Sequence, residues 1–202
     1  MSTLLTSLIE LDRTLLLALN FDGGGFLDEL FWLVSRKWTW IPLYLFVIWL
    51  IYRKVGWKQT LLAVVLIALA VVVTDQIANL FKHYTPKLRP SHTPAIVDYV
   101  HIVHNYRGGW YGTVSAHAAT TFSIALISSA ILRRRVFTIC MICWALFVAY
   151  SRIYLGVHFP LDILCGILDG TVVSLFMIWL YNIISRRWHL GPPISARKTP
   201  ES

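Results

Sequence analysis

The chain has 202 residues, enough for one compact domain, and its composition is 57% hydrophobic and only 14% charged. Soluble domains carry about 25% charged residues, so an ordinary water-soluble fold is excluded and an all-α, polytopic membrane helix bundle is predicted. The formal net charge of +8 does not indicate nucleic-acid binding, because the basic residues form short clusters beside long apolar runs, as in cytoplasmic loops of membrane proteins.

The N-terminal segment 1–36 predicts two short interfacial helices. Four leucines between Leu4 and Leu15 repeat at helical spacing with polar residues between them. Residues 20–25 then break the pattern, and a second apolar pattern follows. We expect both helices to lie on the membrane surface, although a sixth span from Phe26 onward is an alternative. Acidic residues and the lack of a basic start argue against a cleaved signal peptide.

Membrane-spanning helices are predicted next along the chain. A span needs about 20 apolar residues to cross a hydrocarbon core about 30 Å thick. Four segments meet this requirement, namely 61–81, 115–132, 136–154 and 161–184. A shorter apolar segment, 38–52, has aromatic residues near both ends, where they would lie at the membrane interface. The sequence therefore predicts five or six transmembrane helices.

Clusters of Lys and Arg predict the orientation of this bundle. They occur at 53–54, within a loop predicted over 53–58, and at 133–135 and 186–187, and such clusters favour the cytoplasmic side. The C-terminus is therefore expected in the cytoplasm, and the loops 82–114 and 155–160 on the opposite face. We expect a single membrane domain over 1–188, with its transmembrane bundle over 38–188, and a disordered cytoplasmic tail over 189–202.

The two outward loops carry nearly all of the polar residues that are able to perform chemistry. Lys82, Arg89 and Arg152 supply three cations there. A phosphate monoester carries about two negative charges, which Arg binds bidentately and Lys binds as a point charge. Ser115 begins a helix, and the free N–H groups of a first helical turn also favour an anion. These residues predict a phosphate-binding site.

Two histidines accompany the cations. His158 directly precedes a helix that Pro160 is suited to begin. Asp162 then falls in the first turn of that helix, where its carboxylate can accept a hydrogen bond from one imidazole nitrogen. The other nitrogen of His158 would remain free as a nucleophile. His117 lies at the start of another span.

These residues fall into three motifs: Lys82 with Arg89-Pro90, then Val114-Ser115-Ala116-His117, then Ser151-Arg152 with His158 and Asp162. In order and spacing they resemble the signature of the type-2 phosphatidic acid phosphatase superfamily, membrane lipid phosphatases related to vanadium haloperoxidases. The resemblance covers roughly residues 61–184. The family's second motif reads Pro-Ser-Gly-His, so Val114 and Ala116 are departures here, and Ala116 would be strained if its backbone needed a positive φ.

The resemblance implies a role for each residue. His158 would attack phosphorus and become a phosphohistidine, Asp162 would orient its imidazole, and His117 would protonate the leaving oxygen and then activate water. The phosphoryl oxygens would be held by Lys82, Arg89, Ser115, Ala116 and Arg152. No metal or other cofactor is expected, because the cations supply the charge stabilisation, and His101 with His104 are too few ligands for a metal site.

The implied function is an integral-membrane lipid phosphatase of the bacterial inner membrane, acting at its non-cytoplasmic face on a lipid phosphate or pyrophosphate. We expect undecaprenyl pyrophosphate first, because this carrier is recycled outside the cytoplasm. Lipid A, phosphatidate and phosphatidylglycerophosphate are alternative substrates, and a phosphate-binding transporter subunit is the non-enzyme alternative. The lipid substrate and membrane lipids are the expected partners, with no nucleic acid and no obligate protein partner.

Overall fold

The computed structural model describes residues 2–191 and 194, and within them it contains helices but no strand. The six α-helices are α1 (Ser2–Leu19), α2 (Gly24–Ser35), α3 (Ile41–Tyr84), α4 (Ala116–Leu132), α5 (Arg135–Tyr154) and α6 (Pro160–Arg187). Short 3₁₀ turns connect them at Lys37–Trp40, Pro90–His92, Val97–Tyr99 and Val103–Asn105. The prediction of an all-α fold is confirmed.

In the part of the chain that the structure describes, three helical segments are long and apolar enough to cross a membrane: Lys37–Tyr84, α5 and α6, while α4 is a shorter apolar helix. The 44 residues of α3 would extend about 66 Å, twice the hydrocarbon thickness. Gly56 interrupts α3 with φ 76° and ψ 173°, and both of the resulting arms line one cavity. The two arms therefore lie side by side, so α3 contributes two apolar helical segments to the bundle.

The connection between these arms differs from the prediction. The sequence indicated a loop over 53–58 between two separate spans, whereas helical structure continues on both sides of Gly56. A glycine adopts positive φ without steric cost, so one residue is enough to reverse the chain. The basic residues at 53–54 therefore lie on a helix end rather than in an extended loop.

Helix α4 lies at the centre of the bundle and packs against α3, α5 and α6. Its contact with α6 is close because Gly166 and Gly170 face its backbone. A Cβ atom added at Gly166 would lie 2.5 Å from the carbonyl oxygen of Ser115, and one at Gly170 would overlap that of Ala119. Small residues permit such close packing of membrane helices.

The N-terminal helices pack against the end of the bundle where α5 meets α6. Leu4 and Leu8 of α1 are exposed, whereas Asp12 and Leu16 are buried. The predicted helix break is confirmed at Asn20, whose side-chain amide donates hydrogen bonds to the carbonyls of residues 153 (3.1 Å) and 154 (2.7 Å). This amide ties the N-terminal segment to the C-terminal end of α5.

All three basic clusters meet at the other end of the bundle. Lys54 donates a hydrogen bond to the carbonyl of Leu132, which joins the α3 break to the connection between α4 and α5. Arg133 donates to the carbonyl of Ile194 at 2.8 Å, and Ile194 is buried against the bundle. Residues 192–193 and 195–202 of the predicted tail lie outside the described residues.

Candidate active site

A polar cleft of about 170 Å³ opens near the end of the bundle that is opposite the basic clusters. Its lining comes from the 3₁₀ turn Lys37–Trp40, α3, the loop 85–115, α4, α5 and the turn before α6. The lining residues are Lys37, Asp75, Lys82, Arg89, Tyr106, Ala116, His117, Thr120, Arg152 and His158. Residues from all three sequence motifs are therefore brought together in one cavity.

Six of the eight predicted site residues line this cleft: Lys82, Arg89, Ala116, His117, Arg152 and His158. Asp162 lies behind His158 and contacts its imidazole. Ser115 is fully buried and does not line the cleft. Its hydroxyl accepts a hydrogen bond from the N–H of Ala118 at 3.4 Å, because a serine that precedes a helix caps its first turn.

The first motif is held in place by backbone pairing with residues 110–112. Arg89 donates its backbone N–H to Trp110 at 2.9 Å and its Nε–H to Tyr111 at 3.0 Å, in both cases to the carbonyl oxygen. Gly112 permits the close approach, since a Cβ there would lie 2.8 Å from Cγ of Arg89. Lys82 donates to the side chain of Asn79 at 3.3 Å. The two cations thus converge on the cleft from different segments.

The imidazole of His158 is oriented by two contacts of its Nδ1 atom. Its Nδ1 lies 3.2 Å from the carbonyl oxygen of Gly112 and 3.4 Å from Oδ2 of Asp162. Both partners are acceptors when Asp162 is ionised, so the proton belongs on Nδ1. Nε2 then carries the lone pair. This is the tautomer that a nucleophilic imidazole requires.

The surroundings of His158 also keep its ring neutral. Burial lowers its pKa well below the usual 6.5, and the positive charges of Arg89, Arg152 and Lys82 lower the pKa further. A protonated imidazole has no lone pair on either nitrogen. The cations therefore favour the reactive form of the ring as well as attracting an anion.

Arg152 is the most deeply buried of the cations. Its Nη1 donates to the hydroxyl of Ser35, and among the described residues its buried Nε has no hydrogen-bond partner. Tyr106 lies beside it with the guanidinium 5.8 Å from the ring centre. Although burial raises the pKa of Tyr106, the charges of Arg152 and Arg89 lower it below its usual value. An unpaired buried donor beside a cleft favours an anionic ligand.

The start of α4 supplies backbone donors to the same cleft. Ala116 is the first helical residue, and the first N–H groups of a helix have no acceptor within it. Within the described residues, positive φ at non-glycine positions occurs only at His104, Asn105, Arg133 and His189. Ala116 therefore replaces the family's glycine without backbone strain, and its N–H remains able to bind an oxyanion.

Several residues near the site were missed by the sequence analysis. Lys37 lines the cleft, and Lys87 and Asp12 pair with each other behind it at 2.8 Å. Lys87 stands between two residues of the first motif, and Asp12 was the one acidic residue on the buried side of a leucine-rich helix. Burial of a carboxylate costs free energy unless a cation or hydrogen-bond donor compensates its charge, but the sequence does not show which cation pairs with Asp12.

The histidines of the outer loop pair with α2 and not with each other. Nε2 of His101 lies 2.8 Å from Asp28, and Nε2 of His104 lies 2.9 Å from Glu29. Within the described chain, the one group of three potential metal ligands within 4.8 Å is Asp22, Asp28 and His101. None of these residues lines the cleft.

Comparison with known proteins agrees with this geometry. A family model described as the PAP2 superfamily matches residues 59–186. The chain is 38% identical over 182 residues to a lipid A 4'-phosphatase of Porphyromonas gingivalis, covering 90% of this chain and 77% of the relative. It is 34% identical over 182 residues to a lipid A 4'-phosphatase of Bacteroides thetaiotaomicron, covering 89% and 79%.

Two solved structures share the fold. The crystal structure of Aquifex aeolicus LpxE superimposes with a TM-score of 0.64 at 24% identity, covering 84% of this chain and 95% of that one. The crystal structure of a transmembrane PAP2-type phosphatidylglycerolphosphate phosphatase from Bacillus subtilis superimposes with a TM-score of 0.66 at 18% identity, covering 89% of each chain. At these identities the similarity establishes the fold.

Proposed function

The chain belongs to the PAP2 superfamily and is a membrane phosphatase, and from that premise we propose that it removes a phosphate group from lipid A. The two curated relatives that align with about nine-tenths of the chain carry that activity in their names. This favours lipid A, an alternative substrate in the sequence-based expectation, over undecaprenyl pyrophosphate, which was expected first. The observation that carries the proposal is a cationic cleft, built around His158, that adjoins an apolar cavity.

The proposed reaction begins with phosphoryl transfer to the protein. Nε2 of His158 attacks phosphorus, and the bond between phosphorus and the leaving oxygen breaks. His117 donates a proton to that oxygen and then takes one from the water that hydrolyses the phosphohistidine. Asp162 holds the proton on Nδ1 of the nucleophile throughout. Each cycle consumes one water and releases inorganic phosphate and the lipid alcohol, and His158 is regenerated.

Charge stabilisation in this proposal comes from the three cations of the cleft. Lys82, Arg89 and Arg152 surround the position of the transferred phosphoryl group, and the N–H of Ala116 adds a neutral donor. Such preorganised donors stabilise the charge on the phosphoryl oxygens in the transition state. Ser115 acts here through the helix cap that orients the first turn of α4. No step requires a metal ion.

An apolar cavity of about 340 Å³ supports a lipid as the leaving group. It lies between the two arms of α3 and α4, and it shares Lys37, His117 and Thr120 with the polar cleft. On the second arm its lining runs from Val64 to Val71, about 10 Å of helix. An acyl chain attached close to the phosphate would occupy this cavity, as in an acylated sugar phosphate such as lipid A.

We place the cleft on the non-cytoplasmic face of the bacterial inner membrane, with α1 and α2 at the interface and the C-terminus in the cytoplasm. The three basic clusters meet at the end of the bundle opposite the cleft, which is the arrangement expected for a cytoplasmic face. A single cysteine replacing exposed Tyr99, after Cys140, Cys143 and Cys165 are changed to Ser, should react with an impermeant maleimide in intact cells. Reaction only after permeabilisation would reverse the orientation.

Phosphate release from a substrate panel tests the proposed function. Purified protein in excess EDTA is given lipid A, undecaprenyl pyrophosphate, phosphatidate and phosphatidylglycerophosphate, with His158→Ala as the matched control. We expect the highest kcat/KM for lipid A and no turnover by the variant. A higher kcat/KM for undecaprenyl pyrophosphate would overturn the substrate assignment, and loss of activity in EDTA would overturn the mechanism.

A further inference from the structure

Lys87 lies within the first motif, between Lys82 and Arg89, but it does not line the cleft. Its Nζ lies 2.8 Å from Oδ2 of Asp12 and 2.9 Å from Oδ1 of Asp162. The side chains of both acids are no more than 3% exposed, so one ammonium group is shared by two buried carboxylates.

The remaining oxygens of the two acids are also engaged. Oδ2 of Asp162 accepts the backbone N–H of Phe159 at 3.0 Å and lies 3.4 Å from Nδ1 of His158. Oδ1 of Asp12 accepts the backbone N–H of Leu161 at 2.9 Å. The ammonium of Lys87 therefore connects helix α1 to the first turn of α6, directly behind the proposed nucleophile.

Charge explains why this arrangement matters. A buried carboxylate stays ionised only when opposite charge or hydrogen bonds compensate its desolvation. Asp162 faces the ammonium of Lys87 and, at longer range, the guanidinium of Arg89, with Asp12 as a neighbouring negative charge and the Cys165 thiol nearby. Lys87 provides the direct cationic contact among these groups.

The charge state of Lys87 agrees with this function. Burial lowers its pKa, but the two carboxylates more than compensate and the pKa ends above its usual value. Lys87 therefore remains positively charged across the physiological pH range. The ammonium also lies 4.3 Å from the centre of the Phe159 ring, which fixes its position further.

We propose that Lys87 is a positioning residue for phosphoryl transfer, which keeps Asp162 ionised and directed at His158, and that Asp12 of the N-terminal helix holds Lys87 in place. This inference rests on the roles of His158 and Asp162 in the proposed function. Helix α1 then belongs to the catalytic unit, although it lies outside the matched family region and outside the signature motifs.

The test compares Lys87→Met with Asp12→Asn in the full chain, using a soluble aryl phosphate and pH profiles of kcat and KM. For Lys87→Met we expect kcat to fall about 10- to 100-fold near pH 7, the range for a charged hydrogen bond, with KM little changed. The acid limb of its pH profile, where kcat falls as the pH is lowered, should move to higher pH, because both Asp162 and His158 gain protons more readily without the ammonium. Exposed Lys58, far from the cleft, gives the matched control Lys58→Met.

For Asp12→Asn we expect the pH profile of kcat to shift in the opposite direction. A purely structural role of Lys87 and Asp12 would not produce opposite shifts. The asparagine side chain keeps an oxygen that can accept a hydrogen bond from Lys87, so Lys87 stays in place beside Asp162. The negative charge of Asp12, which raises the pKa of a neighbouring carboxyl, is removed, so the acid limb should move to lower pH. The proposal is overturned if Lys87→Met loses the same factor at every pH, or if both variants shift the limb in one direction. If Lys87→Met does not fold, the direction of the Asp12→Asn shift decides alone. Turnover by His158→Ala would instead contradict the proposed function.

Discussion

Gly112 offers the most direct perturbation of the site without removal of a polar group. It contributes no side chain, but its carbonyl oxygen accepts the hydrogen bond from Nδ1 of His158. A Cβ atom at this position would lie 2.8 Å from Cγ of Arg89 and 3.3 Å from Nδ1 of His158. Gly112→Ala is therefore expected to displace the side chains of both Arg89, a proposed phosphate ligand, and His158, the proposed nucleophile.

The expected magnitude follows from these distances. Ordinary contacts of a Cβ begin near 3.4 Å, so the Arg89 side chain must move by about 0.6 Å, the difference between 3.4 and 2.8 Å. A misplacement of this order costs about 10- to 100-fold in rate, or about 1.4 to 2.7 kcal/mol of transition-state stabilisation. Because Gly112 does not have a positive φ, backbone strain adds nothing to the effect.

The assay is the kcat/KM of phosphate release from a soluble aryl phosphate, with the melting temperature of each variant measured in the same detergent. Gly109→Ala is the matched control, because Gly109 lies in the same loop with no atom within 4 Å of its added Cβ and without a positive φ. We expect Gly109→Ala to retain its activity and Gly112→Ala to lose it while remaining folded. Equal activity of the two variants would refute the packing argument.

Three further predictions concern the chemistry and the leaving group. His158→Ala should abolish turnover of every substrate. His117→Ala should lower the turnover of the lipid about 10²- to 10⁴-fold, and most of this rate should return with an aryl phosphate, whose leaving oxygen needs no proton. Equal recovery of both variants with the aryl phosphate would contradict the assigned roles. Burial and the cations lower the pKa of His158 well below 6.5, so its ring should stay neutral, and kcat/KM should not fall, until the pH is well below 6.5. A loss of kcat/KM caused by protonation of His158 at or above pH 6.5 would contradict this prediction. Val64→Trp should raise KM for long-chain lipid phosphates and leave an aryl phosphate unaffected, and unchanged chain-length dependence would exclude the cavity as the acyl site.

Much of the site was predictable from the sequence because its parts are local. The apolar runs indicated the spans, and alternation of the spans put the first and third motifs at one face, where Arg89, Arg152 and His158 do line a single cleft. The spacing between His158 and Asp162 is also local, since a carboxylate in the first turn of a helix is close to the residue before that helix.

The features that were missed depend on contacts between distant segments. Lys87 and Asp12 are 75 residues apart, and the leucine spacing in α1 shows neither that Asp12 is buried nor which cation pairs with it. The loop expected at 53–58 failed for a different reason, because a single glycine reverses α3 and periodicity cannot distinguish a short loop from a kink. For Ser115, predicted as a phosphate ligand, the structure shows a hydroxyl that caps α4, which is a common use of a serine before a helix.

The motifs alone did not rank the substrates, because they bind the phosphoryl group that all candidate lipids share. Selectivity must come from residues that contact the leaving group, and these lie where the polar cleft joins the apolar cavity. The scissile bond connects a charged phosphoryl group to a lipid, so it must lie at this same boundary. His117 lines both cavities, whereas His158 lines only the polar one among those two. A group that protonates the leaving oxygen must reach the lipid side of the bond, while a nucleophile must approach phosphorus from the opposite side. The two cavities therefore favour His117 as the acid and His158 as the nucleophile, independently of the motif resemblance.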